Sequence, residues 1–256
     1  MEENTNSQIQ VIWGNSPEEL EALNAKGCSF FIDPKQSEEI FVSTSQLRWL
    51  THEREYGGYF TTEQKRALET IEADVKDTST PLMHIKLLLY SDPRNLYKKP
   101  RIKNEQKDNW LIEEKRRELV RDVIEKLLLC GDVDVRYLEK DEKDQLRIEL
   151  RDKELFLSFS SKDKNNGKQK KVHCGVVYTA DNNNDPLISY YRELFKKDFD
   201  RARKMRFDGK KIVSDEKRKD QFKRWVKANW STAILPSLIV SAIFFILGFL
   251  IPHPIH

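Results

Sequence analysis

Few residue spacings in this chain match a catalytic arrangement. It has no P-loop, no GxGxxG, no GxSxG and no HExxH. His84-Ile-Lys86 opens the apolar run HIKLLLY, and Asp92 follows the histidine. His173 opens a second apolar run, with Gly175 and Asp181 behind it. A histidine at the head of an apolar strand ordinarily has a structural or solvent partner, and both are read first in that way. Cys28, Cys130 and Cys174 are widely spaced and form no CxxC, which reads as reduced thiols in a reducing compartment. His253 and His256 are too few for a metal site, so neither metal nor cofactor is expected. The basic stretches from Lys98 to Lys103 and from Lys162 to Lys171 lack interleaved aromatics, so solvated loops are expected there rather than a nucleic-acid surface.

One stretch carries a resemblance. QLRIELRDKELFLSFSS, from Gln145 to Ser161, resembles the HxKxxxxD region of the phospholipase D superfamily. The later strand VHCGVVYTAD and the helix PLISYYRELFKKDFDRARKM also look like the last strand and helix of phospholipase D-like regulatory domains. The likeness covers roughly residues 82–206. It implies a nucleophilic His, a phosphate-holding Lys and an Asp at the turn. Here those positions hold Gln145, Arg147 and Asp152. An amide cannot form a phospho-enzyme, so covalent catalysis is not expected. Arg147 could still hold a phosphate bidentately. Two readings stay open: a degenerate phosphate site, or ordinary strand and turn residues. The enzyme alternative transfers the family's roles to His84 as nucleophile, with Lys86 and Asp92 as partners.

The strongest single signal is apolar. Residues Thr232 to Ile251, TAILPSLIVSAIFFILGFLI, carry no formal charge, and thirteen of the twenty are Leu, Ile, Phe or Val. At ~1.5 Å per helical residue they span ~30 Å, a bilayer's hydrocarbon thickness. The preceding segment holds Lys217, Arg218, Lys219, Lys223, Arg224 and Lys227 with Trp225 and Trp230. By the positive-inside rule this flank is cytoplasmic, its cations at lipid headgroups and its tryptophans at the interface. Only PHPIH follows, so a short tail lies outside and no cleavable signal is expected. Ser237, Ser241 and Gly248 form a small-residue strip on which two spans could associate. Residues 196–227 hold fourteen Lys and Arg against six Asp and Glu, so the basic excess gathers towards the membrane.

The elements that would position these residues follow from periodicity. Gln8 to Trp13 alternates as a strand. Ser16-Pro17-Glu18-Glu19 opens a helix with a capping box, with Leu20 and Leu23 on its stripe and Gly27 as its stop. Cys28 to Ile32 and Ile40 to Thr44 read as strands. A helix capped by Thr61 and Gln64 runs to Asp77, with Leu68, Ile71 and Val75 on one face. Next come the strand His84 to Tyr90 and a helix from Trp110 to Cys130 capped by Asn109 and stopped at Gly131. Ile112, Leu119, Val123, Ile124 and Leu127 form that helix's stripe. Strands are expected at Asp134 to Leu138, Leu146 to Leu150, Leu155 to Phe159 and Val172 to Thr179, with a turn from Ser161 to Lys171. A last helix runs from Pro186 to Met205, and Gly209 to Glu216 is a short linker.

The fold class is α/β: a mixed sheet flanked by helices, phospholipase D-like, followed by one C-terminal transmembrane helix. The expected division is an α/β appendage at 1–80, the phospholipase D-like domain at 81–208, a basic juxtamembrane segment at 209–230 and the span at 231–252. The leading functional expectation is a tail-anchored, single-pass, non-enzymatic sensor or effector. Its cytoplasmic domain would bind a ligand or protein at the bilayer, and its span could self-associate. The alternatives are a membrane-bound phosphodiesterase using His84, Lys86 and Asp92, and an adaptor that recruits a soluble protein.

Overall fold

Two apolar runs, EIFVST and HIKLLL, lie side by side near the centre of one mixed sheet. The computed structural model describes residues 7–32, 39–45, 47–51, 61–76, 84–98, 107–140, 146–165, 168–182 and 184–215. The chain opens with β1 (Gln8–Trp13) and α1 (Pro17–Ser29), then β2 (Glu39–Thr44), a helical turn α2 (Arg48–Thr51) and α3 (Thr62–Lys76). β3 (His84–Leu89), a 3₁₀ turn at Pro93–Tyr97, α4 (Lys107–Leu129) and β4 (Val133–Tyr137) follow. The second half holds β5 (Arg147–Arg151), β6 (Glu154–Asn165), β7 (Lys168–Thr179), α5 (Pro186–Arg201), β8 (Arg203–Phe207) and β9 (Ile212–Ser214).

The strand order is β1-β7-β6-β5-β2-β3-β4-β8-β9. β2, β3 and β4 are parallel and the remaining pairs antiparallel. Parallel neighbours need long crossovers, and α2, α3 and α4 fill them. These helices and α1 cover one face, where Leu23, Phe31, Leu50, Ile71, Leu87 and Leu127 are buried. α5 covers the other, packing Ile188, Phe195 and Phe199 on Phe41, Leu88 and Leu150. Helices on both faces explain the near-continuous apolar run HIKLLLY, since a central parallel strand has no solvent side.

The capping boxes form as the sequence implies. Ser16 Oγ accepts from Glu19 N while Glu19 accepts from Ser16 N. Thr61 and Gln64 make the same reciprocal pair. Asp185 caps α5 by accepting from Leu187 N and Ile188 N.

Five expectations need correction. Cys28 to Ile32 is not a strand: α1 runs to Ser29, and a turn then buries Phe30 and Phe31. A short apolar run is compatible with a strand or a buried helix end, and burial on the helix side decides it. α4 begins at Lys107, so Asn109 lies inside it rather than capping it, while Val123, Ile124 and Leu127 are buried as its stripe requires. Ser161 to Lys171 is not a turn: β6 and β7 stay paired to Asn165 opposite Lys168. α5 stops at Arg201, because Arg203 and Lys204 pair with Tyr137 and Arg136 and Met205 is buried in β8. Gly209 to Glu216 is not a plain linker. Gly209 takes a positive φ of 87° between β8 and β9, a conformation suited to a residue without Cβ.

The sheet also crosses the division expected at residue 80. β2 lies between β5 and β3, β1 pairs with β7, and Met1–Ser214 forms one compact unit. Among the described residues no helix is long and apolar enough to cross a membrane. Thr232 to Ile251 lies outside those residues, as do Lys217, Arg218, Lys219, Lys223, Arg224, Trp225, Lys227 and Trp230 of the flank and Ser237, Ser241 and Gly248 of the strip.

Candidate functional site

β5 alternates charge with apolar side chains: Arg147, Ile148, Glu149, Leu150, Arg151. Alternation sends the two sets to opposite faces. Ile148 and Leu150 join the α5 core, so the charged set faces α1. This places a charged cluster inside the molecule, where desolvation is costly unless the charges pair.

The pairing is internal. Arg147 Nε donates to Glu149 Oε1 at 2.6 Å, and Nη2 also lies 2.6 Å from that oxygen. The Glu149 side chain is fully buried and that of Arg147 is 13% exposed. The guanidinium lies 4.1 Å from the Trp49 ring centroid and 5.2 Å from that of Phe156. Gly27 of α1 closes the cage, since a Cβ there would stand 1.9 Å from Arg147 Nη2 and 3.1 Å from Glu149 Oε1. Burial raises the Glu149 carboxyl above its usual range, against the opposing pull of Arg147. Burial, reinforced by Glu149, also pushes the Cys28 thiol up, which suppresses the reactive thiolate. Trp49 Nε1, Arg147 Nη2 and Glu149 Oε2 are buried without an aligned hydrogen-bond partner among the described residues.

The end of β5 and the start of β6 continue the clasp on α1. Arg151 Nη1 lies 3.5 Å from the Ser29 carbonyl and 3.4 Å from that of Ile32, and Lys26 pairs with Glu154. A cation at these carbonyls suits the negative end of the helix dipole.

Of the motif-like residues, Gln145 lies outside the described residues. Arg147 is committed to Glu149. Asp152 sits in the turn between β5 and β6 with φ of 48°, a left-handed conformation that Asp tolerates better than most residues. Its carbonyl accepts from Arg192 Nη2 at 3.2 Å. Arg147 and Asp152 stand at opposite ends of β5, so the strand does not bring them to one phosphate.

The alternative trio does not converge either. His84 Nδ1 pairs with Asp132, and Lys86 pairs with Glu39. Asp92 caps the 3₁₀ turn and binds Arg94 through both oxygens, at 2.7–3.1 Å. Burial raises the Asp92 carboxyl, but the hydrogen bonds and charge of Arg94 outweigh it and hold the group low. His84 opens β3 and Asp92 lies beyond its far end. At ~3.3 Å per residue the strand alone separates them by ~16 Å. Among the described residues no cluster of His, Cys, Asp or Glu is arranged to hold a metal.

Sequence reasoning singled out Arg147 and missed Glu149, Trp49 and Gly27. The available signal was R-x-E-x-R in a strand whose other side chains are apolar. Such alternation ordinarily means a solvent-facing side, and the covering helix α1 reverses that meaning.

No family model and no curated protein matches the chain. Among solved structures, TrmBL2, an archaeal chromatin protein with a novel mode of DNA binding, aligns at 13% identity and TM-score 0.38, over 76% of this chain and 53% of that one. NucT from Helicobacter pylori aligns at 10% identity and TM-score 0.40, over 77% of this chain and 98% of its own. Phosphatidylserine synthase of Haemophilus influenzae aligns at 11% identity and TM-score 0.39, over 77% of this chain and 40% of its own. The chain thus spans about half the length of the archaeal protein and less of the synthase. At these scores the likenesses carry no argument about activity, and the fold is stated from the chain's own topology: a nine-stranded mixed sheet with helices on both faces.

Proposed function

We propose that the chain is a single-pass, membrane-anchored protein whose phospholipase D-like α/β part is non-enzymatic and binds a ligand or partner at the cytoplasmic membrane surface, with self-association available to the span. The observation that carries the non-enzymatic reading is the position of Arg147. The basic residue in the motif-like stretch is neutralised by Glu149 and caged by Trp49, Phe156 and Gly27. A phosphate there would have to displace a fully buried carboxylate. The membrane reading rests on the uncharged stretch Thr232 to Ile251 and its basic, Trp-containing flank.

Two measurements on the full-length protein test it. Alkaline carbonate extraction of membranes is expected to leave the chain in the pellet, and release into the supernatant counts against the span. Purified protein in detergent is expected to hydrolyse neither bis(p-nitrophenyl) phosphate nor phosphatidylcholine above the blank. Hydrolysis that disappears in His84→Ala, with the variant still folded, would return the function to the phosphodiesterase class.

A further inference from the structure

The strand order leaves β1 and β9 at the two edges of the sheet. β9 has three residues, and so short an edge strand offers little to pair with. β1 has six, and its sequence QIQVIW holds no Lys, no Pro and no charge, the usual guards of an exposed edge. Ile9, Val11 and Trp13 alternate onto one face and are 69%, 49% and 51% exposed. Tyr178, Val176 and Cys174 stand opposite them on β7 and are half-buried, with β6 on one side and β1 on the other. The β1 row is exposed as a row with a strand on one side only.

The backbone of β1 has the same sidedness. Gly14 N donates to the His173 carbonyl at 2.9 Å, one pair beyond Trp13 opposite Cys174. Bonded and non-bonded pairs alternate along an antiparallel ladder. Ile12, Gln10 and Gln8 thus turn their N–H and C=O groups to β7, while Trp13, Val11 and Ile9 turn theirs outward. The residues with exposed apolar side chains are the ones whose backbone groups face away from the sheet.

We propose that β1 pairs antiparallel with β1 of a second copy of this chain, about a two-fold axis at Val11, joining two sheets edge to edge. That register sets Val11 opposite the partner's Val11 and Ile9 opposite the partner's Trp13. All three pairs are of the bonded kind, each exchanging two N–H···O=C bonds, about six in all. On the exposed face apolar meets apolar, and Ile against Trp is a favourable cross-strand pair. A slip of one residue would oppose Val11 to Gln10 or Ile12, whose backbone groups are taken by β7. A slip of two leaves Ile9 or Trp13 without a partner in the strand. Charge selects the occupant. A two-fold axis brings residues close to their own copies, so a charge near it repels itself. QIQVIW has none, nor have the β7 residues it pairs with, Cys174 to Thr179. A charged strand would find no counter-charge on this edge, whereas the strand's own copy needs none. About six residues a side is well below the ~20–30 of a standard interface, so the dimer is weak and reversible. The contact does not depend on the membrane-anchored reading and is separate from any association of the span.

Sedimentation equilibrium of the full-length protein in detergent tests this. The wild type is expected to dimerise reversibly below ~100 µM. Val11→Lys and Val11→Glu each place like charges on the axis and are expected to weaken association about tenfold, with the wild-type thermal transition kept. Mixing the two variants is expected to restore it, which a loss of folding could not do. In a Cys174→Ser background, Val11→Cys is expected to oxidise to a disulfide-linked dimer, since residue 11 meets its own copy at ~5.5 Å between Cα atoms. Gln8→Cys, ~20 Å from its copy along the strands, is expected to form none. A monomeric wild type overturns the proposal and leaves the edge to a different chain. Association unchanged in both charged variants also overturns it and assigns the dimer to the span or another surface. Equal cross-linking at positions 8 and 11 rules out the two-fold register.

Discussion

At the scale of single residues, the Arg147–Glu149 pair sets the largest expected penalties. A buried pair adds little net stability, but removing one partner strands the other charge. Glu149→Ala is therefore expected to cost ~3–5 kcal/mol in urea unfolding, while Arg147→Met with Glu149→Leu recovers most of that loss. If the single variant unfolds like the wild type, the cage is not as tight as its geometry indicates. Gly27→Ala acts on the same cage from the helix side. Its Cβ meets Arg147 Nη2, the end of a flexible side chain, yet one held by Trp49, Phe156 and Glu149. The expected cost is ~1–3 kcal/mol, the usual range for overpacking. The pair also has a pH signature. Glu149 is raised above its ordinary value of 4.5, so over the window above that value the folded chain keeps a proton the unfolded chain has lost. Its contribution to stability then falls as pH rises through the window. The stability gap between wild type and Glu149→Gln should narrow in that direction, and a gap that widens would reverse the assignment. Arg147 was legible in sequence as a phosphate candidate. Glu149, two residues on, was legible only as half of an alternating pattern, because a pattern gives sidedness and not which side is covered.

At the scale of elements, helix starts were the most legible feature. Ser16 with Glu19 and Thr61 with Gln64 are local signals that need no tertiary context, and both capping boxes form. The ends of elements depend on long-range partners. α1 runs past Gly27, whose missing Cβ leaves room for Arg147 of β5, and after α5 the chain pairs Arg203 with the edge of β4. The lysine- and asparagine-rich arm reads locally as a turn, since the pairing that extends it runs between residues on either side of Asn166 and Gly167. The β8–β9 hairpin has a comparable long-range support. Tyr97 donates to Glu125 on α4 and accepts from Ile212 N at 2.8 Å, tying the 3₁₀ turn, α4 and β9 together. Burial, and then the bond to Glu125, raise the Tyr97 hydroxyl, which keeps it protonated as a donor. Tyr97→Phe removes both bonds and leaves the Ile212 amide unpaired, at a cost of ~1–3 kcal/mol. Exchange of the Ile212 amide should accelerate well beyond that of Leu87 at the sheet centre, and unchanged protection at Ile212 would show that β9 is held by its strand pairing alone.

At the scale of the whole molecule, the sheet determines what can be separated from what. The resemblance began at residue 82, which made 81–208 a natural domain in sequence. The fold places β2 in the middle of that domain's sheet, bonded to β3 on one side and β5 on the other. Without β2, the parallel pair β3–β4 loses its connection to the antiparallel half. Phe41 also leaves the α5 core, and Ile40 and Val42 leave the core beneath α1, α3 and α4. Local propensity could not reveal this, because Ile40 to Thr44 reads the same whether it pairs with its neighbours or with a strand a hundred residues away. A chain of residues 1–215 is thus expected to unfold cooperatively by heat, because the compact unit Met1–Ser214 contains every strand of the sheet and both cores. A chain of residues 81–215 is expected to show no cooperative transition and fast amide exchange throughout β3 and β5. The comparison is decided by circular-dichroism melts of the two chains side by side. A sharp transition in the shorter chain would restore residues 1–80 as an appendage and make β2 a replaceable neighbour rather than the strand that joins the two halves of the sheet.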